Sequence, residues 1–336
     1  MGKHILIDKE RRFYKANLHC HTTLSDGKMT PEEIKEKYKK NGYSIVAFTD
    51  HQVLLPHNDL TDENFLAITS TEIDFNQTGN AYGFIKTYHL NLYSRDPNQT
   101  RYSAFTAKAV KHPEFAPADL LDYNYPKDYD IELINRTIEK AHEEGFFVSY
   151  NHPVWSTQSY EDYINLKGLW GVECHNTGCF RSGYPDTPQP LDDLLRTGAQ
   201  VFPLATDDAH NMNHCFGGWL MVKAEKLEYA TVIDALERGD FYASTGPEIK
   251  ELSIENGILH VECSPARSVF VSTERRMSIQ KNATDTPLTS VDIDLNKYLC
   301  DSNNDKATVK PYFRLTVVDG AGMRAYSRAY FLDELN

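Results

Sequence analysis

Histidines and carboxylates recur in short stretches of this 336-residue chain, at spacings that suit cation binding. In "HCHTTLSDG", His19 and His21 flank Cys20, and Asp26 follows just before a glycine. Alternate side chains of an extended segment share a face, so His19 and His21 point one way and Cys20 the other. Two imidazoles so placed can hold one metal ion, although a pair of hydrogen-bonded histidines fits the same spacing. Repetition of the pattern favours the metal. Asp50 and His51 close an apolar run, Glu72 closes another, His89 lies within one, and His152 ends one. Glu173, His175 and Asn176 fall on a further run, and Asp207, Asp208 and His210 end the last. Burying so many ionisable groups requires partners, which divalent cations supply. Mixed nitrogen and oxygen donors suit zinc, manganese or iron better than calcium or magnesium.

These groups need elements that gather them. "TPEEIKEKYKKNGY" reads as a helix, with Thr30 as N-cap, Pro31 at the first position, Glu33 closing a capping box and Asn41-Gly42 ending it. The opening run, "SIVAFTDH", "FLAITSTEID", "KTYHLNLY", "FFVSYNHP", "LWGVECHN" and "AQVFPLATDDAH" read as strands, with "IELINRTIEKAHEEG" and "PLDDLLRTG" as helices between them. This alternation predicts a parallel α/β barrel or wound sheet, whose carboxyl strand ends form one rim. The polar residues named above fall at or near those ends. Residues 94–130 form a long tyrosine- and proline-rich connection, which reads either as a surface insertion or as a lid. From residue 247 the character becomes antiparallel β, with a hairpin at Asn256-Gly257 and a second turn at Asp319 to Gly322. The expected organisation is therefore a domain over 1–246 and a small β-sandwich-like domain over 247–336.

The net charge of −13 argues against a general nucleic-acid binder or an exonuclease, because phosphate-backbone binding relies on a basic surface. It leaves room for a small anionic substrate held by local metal charge. The six cysteines form no CxxC pair and read as reduced and structural. The first thirty residues lack a leader pattern and no long apolar stretch occurs, so a cytoplasmic, membrane-free protein is expected unless a leader has been removed. The sequence sets no oligomeric state.

Jointly, "HCHTTLSDG", "FTDH", Glu72, His89, "NHP" and "DAH" resemble the polymerase and histidinol phosphatase (PHP) metallohydrolases. "ALERGDFYASTGPEI" and the β-rich tail resemble their carbaryl-hydrolase-like (CehA/McbA) branch. The resemblance implies a distorted seven-stranded β/α barrel holding two or three divalent ions of zinc, manganese or iron. It implies His19, His21, Glu72 and Asp208 around a first metal, Glu72 bridging to a second held by His89 and His152, and Asp26, His51 and His210 around a third. Glu72, Asp208 and His210 would be catalytic. The family's Asp-x-His pattern selects Asp208 over Asp207, which is left a supporting or capping role. Asp50 is expected to orient a histidine or neighbouring backbone. Glu173 and Asn176 match the family's sixth strand. His175 reads as packed or substrate-facing, and Arg181 as either a phosphate anchor or a solvated loop arginine. His4, His57, His112, His142, His214 and His260 read as ordinary surface or packing residues. The implied activity is hydrolysis of a small phosphomonoester or phosphodiester by metal-bound hydroxide. Its rivals are carbamate or carboxylic ester hydrolysis at the same site, and a non-catalytic, metal-stabilised binding protein.

Overall fold

A computed structural model describes residues 2–10, 12–80, 83–277, 279–304 and 309–335. Strand β1 (His4–Ile7) precedes β2 (Phe13–Asn17), helix α1 (Pro31–Lys40), β3 (Ile45–Phe48), β4 (Leu66–Asn80) and β5 (Gly83–Ser94). Next come α2 (Ile131–Glu143), β6 (Phe146–Tyr150), α3 (Tyr160–Tyr163), β7 (Gly171–Asn176), α4 (Thr177–Arg181) and α5 (Gln189–Arg196). Then β8 (Phe202–Thr206), β9 (Trp219–Lys223), α6 (Tyr229–Arg238) and β10 (Phe241–Ser244) follow. α1 carries the expected capping box: the Thr30 hydroxyl accepts from Glu33 N–H, and the Glu33 carboxylate accepts from Thr30 N–H. All residues of β3, β6 and β7 are buried, which is why these strands read as apolar runs rather than alternating ones.

The seven expected strands are present as β2 to β8, but they are not all parallel. The pairs β2/β3, β3/β4, β6/β7 and β7/β8 are parallel, whereas β4/β5 and β5/β6 are antiparallel. The reason is covalent. β4 ends at Asn80 and β5 begins at Gly83, and a parallel return needs a crossover of about a dozen residues or more. The strands run as one mixed sheet in the order β9-β2-β3-β4-β5-β6-β7-β8. Past the strand ends, Cys20 makes an isolated parallel bridge to Ala209, which brings the segment after β2 against the segment after β8. Among the described residues that bridge is the pairing between the two ends of the seven-strand run.

The 94–130 segment is anchored at a few points and otherwise lies mostly at the surface. Tyr102, Ala104 and Phe105 are buried, and short 3₁₀ turns follow at Ala107–Ala109, Pro113–Phe115 and Ala118–Leu120. Among the described residues no helix is long and apolar enough to cross a membrane.

The C-terminal strands are β11 (Ile249–Glu255), β12 (Ile258–Ala266), β13 (Ser268–Thr273), β14 (Ile279–Asn282), β15 (Leu288–Asp294), β16 (Tyr312–Val318), β17 (Arg324–Ser327) and β18 (Tyr330–Phe331), with helix α7 (Asn296–Asn304) before β16. Their pairings are antiparallel, and Asn256 and Gly257 turn β11 into β12 with φ of 49° and 77°, as an Asn-Gly hairpin requires. They divide between two sheets. β11, β12 and β15 join β1, whereas β14-β13-β16-β17 continues through β10 into the large sheet. Arg314 of β16 reaches across to α5, where it is bound twice by Asp192, at 2.7 Å each, with only 3% of its side chain exposed.

Removing residues 248–336 would strip β10 of its partner β17 and leave Asp192 without its cation. We expect such a truncated chain to aggregate. Arg314→Ala in the full chain should lower the unfolding free energy by about 3–5 kcal/mol in urea titrations, the usual loss when one half of a buried pair is removed. A soluble truncated chain melting cooperatively near the full-length temperature would contradict this reading of the tail.

Candidate metal centre

His19 and His21 lie just beyond β2, with their Nε2 atoms 3.1 Å apart and both rings fully buried. The loop that follows is held tightly. Asp50, two residues past β3, accepts from Thr22 N–H at 2.7 Å, from the Thr22 hydroxyl at 2.8 Å and from Ser25 at 2.6 Å. Its role is thus to fix neighbouring backbone, one of the two expected alternatives. Gly27 completes the turn: a Cβ there would stand 2.3 Å from the His21 carbonyl oxygen. This brings Asp26 back over the cluster, 3.3 Å from His210 Nε2 and 3.7 Å from His21 Nδ1.

Glu72, in mid-β4 and 1% exposed, occupies the centre. Its oxygens lie 3.3 Å from His19 Nε2, His21 Nε2 and His51 Nδ1, 3.1 Å from His89 Nδ1 and 3.5 Å from His152 Nε2. Asp208 sits 3.2 Å from His19 Nε2, 3.1 Å from His21 Nε2 and 3.4 Å from His210 Nδ1. His152 and Asp208 follow β6 and β8 with φ of 26° and 49°, a left-handed conformation that is strained for residues with a Cβ and recurs at functional sites.

All nine residues expected to bind metal are therefore gathered. Four overlapping groups place their donor atoms within 4.8 Å of one another: His21, Asp26, His51 and His210; His19, His21 and Glu72; His19, His152 and Asp208; His51, Glu72 and His89. The groups overlap one another. His51 stands with Glu72 and His89 as well as with Asp26, and His152 stands with His19 and Asp208.

The donor set fits cations better than it fits itself. His21 Nδ1, His89 Nδ1 and Asp208 Oδ1 are buried and, among the described residues, have no hydrogen-bond partner, although carboxylate or imidazole atoms lie within 3.7 Å of each. Atoms so near yet misaligned for hydrogen bonding are arranged around points rather than toward one another. Electrostatics carries the same message. Burial pulls the His19 pKa down, but Asp208, Glu72 and Glu173 outweigh it and the net shift is well upward. Against the same opposition from burial, Asp208 and Glu72 raise His21 to about 10, and Glu72 raises His89. Burial and the neighbouring His21 instead lower His51 to about 4. Burial disfavours ionised Glu72 and Asp208, yet the surrounding imidazoles hold both well below the usual carboxylate range.

Surrounding groups fix the ring orientations. Glu173 of β7 accepts from His19 Nδ1 at 2.7 Å, leaving Nε2 to face the cluster, and also accepts from His152 N–H and the Thr206 hydroxyl. Asn176 donates to Glu173 at 2.9 Å and to Asp208 at 3.2 Å while capping α4. Asp207 points away, accepting from Phe216, Gly217 and Gly218 N–H and from the Tyr38 and Thr177 hydroxyls. Burial pushes its pKa up against these donors. His175 is packed, bonded to Asp186 at 2.7 Å, and the exposed Arg181 donates to the Asn213 carbonyl.

The sequence reading passed over two residues. Asn151 donates to Glu72 at 2.7 Å; its signal was its place beside His152 in "NHP". Trp155 is 41% exposed, with its ring centroid 5.5 Å from that of His89 and 5.0 Å from that of His152. It helps to line a cavity of about 670 Å³ that opens over Asp26, His51 and His89, with Gln52, Asp74, Asn76, Lys86, Lys111 and Tyr184 among its walls. Ala109 and Lys111 come from the 94–130 segment.

A family model described as PHP domain matches residues 17–203. No curated protein matches the sequence. Among solved structures, the chain is similar to a two-domain protein from Bacteroides vulgatus that contains a predicted PHP-like metal-dependent phosphoesterase, at 14% identity and TM-score 0.47, covering 98% of both chains. It is similar to a protein from Bifidobacterium adolescentis described as a metal-dependent phosphoesterase, at 18% identity and TM-score 0.42, covering 66% of this chain and 94% of that one. It is also similar to an amidohydrolase from Chromobacterium violaceum, at 16% identity and TM-score 0.40, covering 67% and 96% respectively.

Manganese or zinc added to chelator-treated protein should raise its melting temperature, by about 2.7 kcal/mol of stability at roughly a hundredfold excess over Kd. Glu72→Gln, which keeps the shape and removes the central charge, should lose most of that rise. Equal metal-induced shifts in both proteins, measured by calorimetry, would remove Glu72 from the cation site.

Proposed function

The chain belongs to the PHP domain family, and we propose that it is a metal-dependent hydrolase of small phosphate mono- or diesters. The observation that carries this reading is the position of the imidazole and carboxylate cluster at the floor of a cavity large enough for a small-molecule substrate. Under this reading His19, His21, Asp26, His51, Glu72, His89, His152, Asp208 and His210 hold two or three divalent ions of zinc, manganese or iron. When bound, such ions acidify water and neutralise charge developing on phosphoryl oxygens.

The chain's own residues prepare the site. Glu173 sets the His19 tautomer, Asn151 holds Glu72, and Asp50 fixes the loop that carries Asp26. Lys111 offers its charge to an anionic group at the cavity wall, while Lys86 is engaged by Asp162 at 2.7 Å. Trp155 and Tyr184 give an apolar wall for the leaving group, which favours esters of an aromatic or otherwise flat alcohol. In the overall reaction water forms a new P–O bond, the ester P–O bond breaks, and the alcohol leaves with a proton. The parallel segments around the cluster support the distorted seven-stranded barrel as the underlying architecture, with the strands from residue 247 as a second domain. The motif near residues 235–249 supports the CehA/McbA-like branch. A small phosphorylated substrate, rather than nucleic acid, is the partner that this acidic chain and confined cavity favour, and a cytoplasmic setting accords with the reduced cysteines.

A panel of aryl phosphates, phosphodiesters, aryl carbamates and carboxylic esters, run with manganese, zinc and iron, tests the reading. Phosphoesters should be hydrolysed fastest, with kcat/KM at least about a thousandfold lower in Glu72→Gln, a loss typical when a group stabilising the transition state is removed. Trp155→Ala should raise KM for aryl substrates several-fold while changing kcat little. Preferential carbamate turnover would replace the phosphoester assignment, and silence on every substrate with every metal would favour a binding role.

A further inference from the structure

A second cavity, of about 410 Å³, lies between α5 and the C-terminal strands β13, β14, β16 and β17, and shares no lining residue with the first. Five arginines line it: Arg196 from α5, Arg275 and Arg276 from the connection after β13, Arg314 from β16 and Arg324 from β17. They are five of the fourteen arginines in a chain whose net charge is −13, so they are gathered rather than spread. Among the described residues Asp192 is the one carboxylate in the lining, and it is spent on Arg314.

The other guanidinium groups divide clearly. Arg196 is paired with Asp193 at 3.2 Å and Arg275 with Glu274 at 3.1 Å. The exposed Arg276 and Arg324 have no side-chain partner among the described residues. Like charges brought together repel, and a bound anion relieves that repulsion. Guanidinium forks match the oxygens of phosphate groups.

We propose that this cavity is a binding site for a small, multiply charged oxyanion of the phosphate type, held chiefly by Arg276 and Arg324. An anion there also faces Arg196 and so links α5 to the C-terminal strands, beside the Arg314–Asp192 pair that already does so. The confined volume favours a small ligand over a polymer. The assignment stands apart from the metal centre and does not depend on the reaction proposed for it.

The test is a calorimetric titration of inorganic phosphate into the full-length protein and into the Arg276→Gln/Arg324→Gln variant, with sodium chloride at matched ionic strength as the control. Both substituted residues are exposed, so the phosphate-free melting temperature should not fall. Binding at the metal centre is common to both proteins and cancels in the comparison. We expect the full-length protein to show a phosphate-binding event that is at least tenfold weaker in the variant, together with a loss of the phosphate-dependent rise in melting temperature. Isotherms that superimpose would overturn the proposal.

Discussion

One carboxylate organises this molecule. Glu72 is almost fully buried, with five imidazole rings within 3.5 Å of its oxygens, contributed by the segments after β2, β3 and β6 and by β5. No apolar packing would assemble that arrangement, because each polar group taken from water needs a compensating partner. The carboxylates of Glu72 and Asp208 repel one another, and imidazolium neighbours would repel in turn. A resident cation changes the sign of nearly every one of these contacts, since neutral imidazole nitrogens and ionised oxygens are then all attracted to the same points. The cluster therefore costs folding free energy that a bound cation would offset.

The surrounding polar groups have distinct tasks. Glu173 and Asn176 orient His19 and Asp208 directly, whereas Asp50 and Asp207 touch none of the nine clustered side chains and instead immobilise backbone. The two buried aspartates after β3 and β8 tie down the loops at 22–25 and 216–218, so the ends of the strand run are clamped where Cys20 bridges Ala209. The left-handed backbone at His152 and Asp208 is held by Glu173, which accepts from His152 N–H, and by Asn176, which donates to Asp208.

The clustering was partly legible in the sequence because ionisable residues at strand ends recur at set spacings. Paired histidines on alternating positions, Asp-His at a strand end and Asp-x-His at another each leave a local trace; Asp26, Glu72, His89 and His152 join them through the family resemblance, and all nine meet in space. The strands, the capping box of α1 and the Asn-Gly hairpin were likewise local signals and are present. What stayed hidden depends on contacts distant in sequence. Trp155 looks like any aromatic residue until His89 and His152 are placed beside it, and Asn151 like any polar residue until Glu72 is. The arginines at 196, 276 and 324 carry no motif, since the pairing of β10 with β17 and the Arg314–Asp192 pair, both distant in sequence, bring the tail against α5.

The departure from parallel winding is itself part of the site. Because β4 returns immediately as β5, Asn91 lies opposite Glu72 and His89 lies opposite Asp74, so Glu72 and His89 are diagonal neighbours on one face and can share a cation. A crossover helix between these strands would have ended each at the rim. The hairpin instead runs on beyond it, and its outer part supplies Asp74, Asn76, Lys86 and Thr87 to the cavity wall. Across from it stand Trp155 and Tyr184, which follow β6 and α4, and Lys111 from the long connection after β5. The floor of the cavity is thus built from strand ends, as in any α/β enzyme, while its height comes from an antiparallel pair that an expectation of uniform α/β alternation would exclude. On the proposed reading, substrate selection would fall to the outer part of the hairpin and to the 94–130 segment, which line the cavity above the cluster.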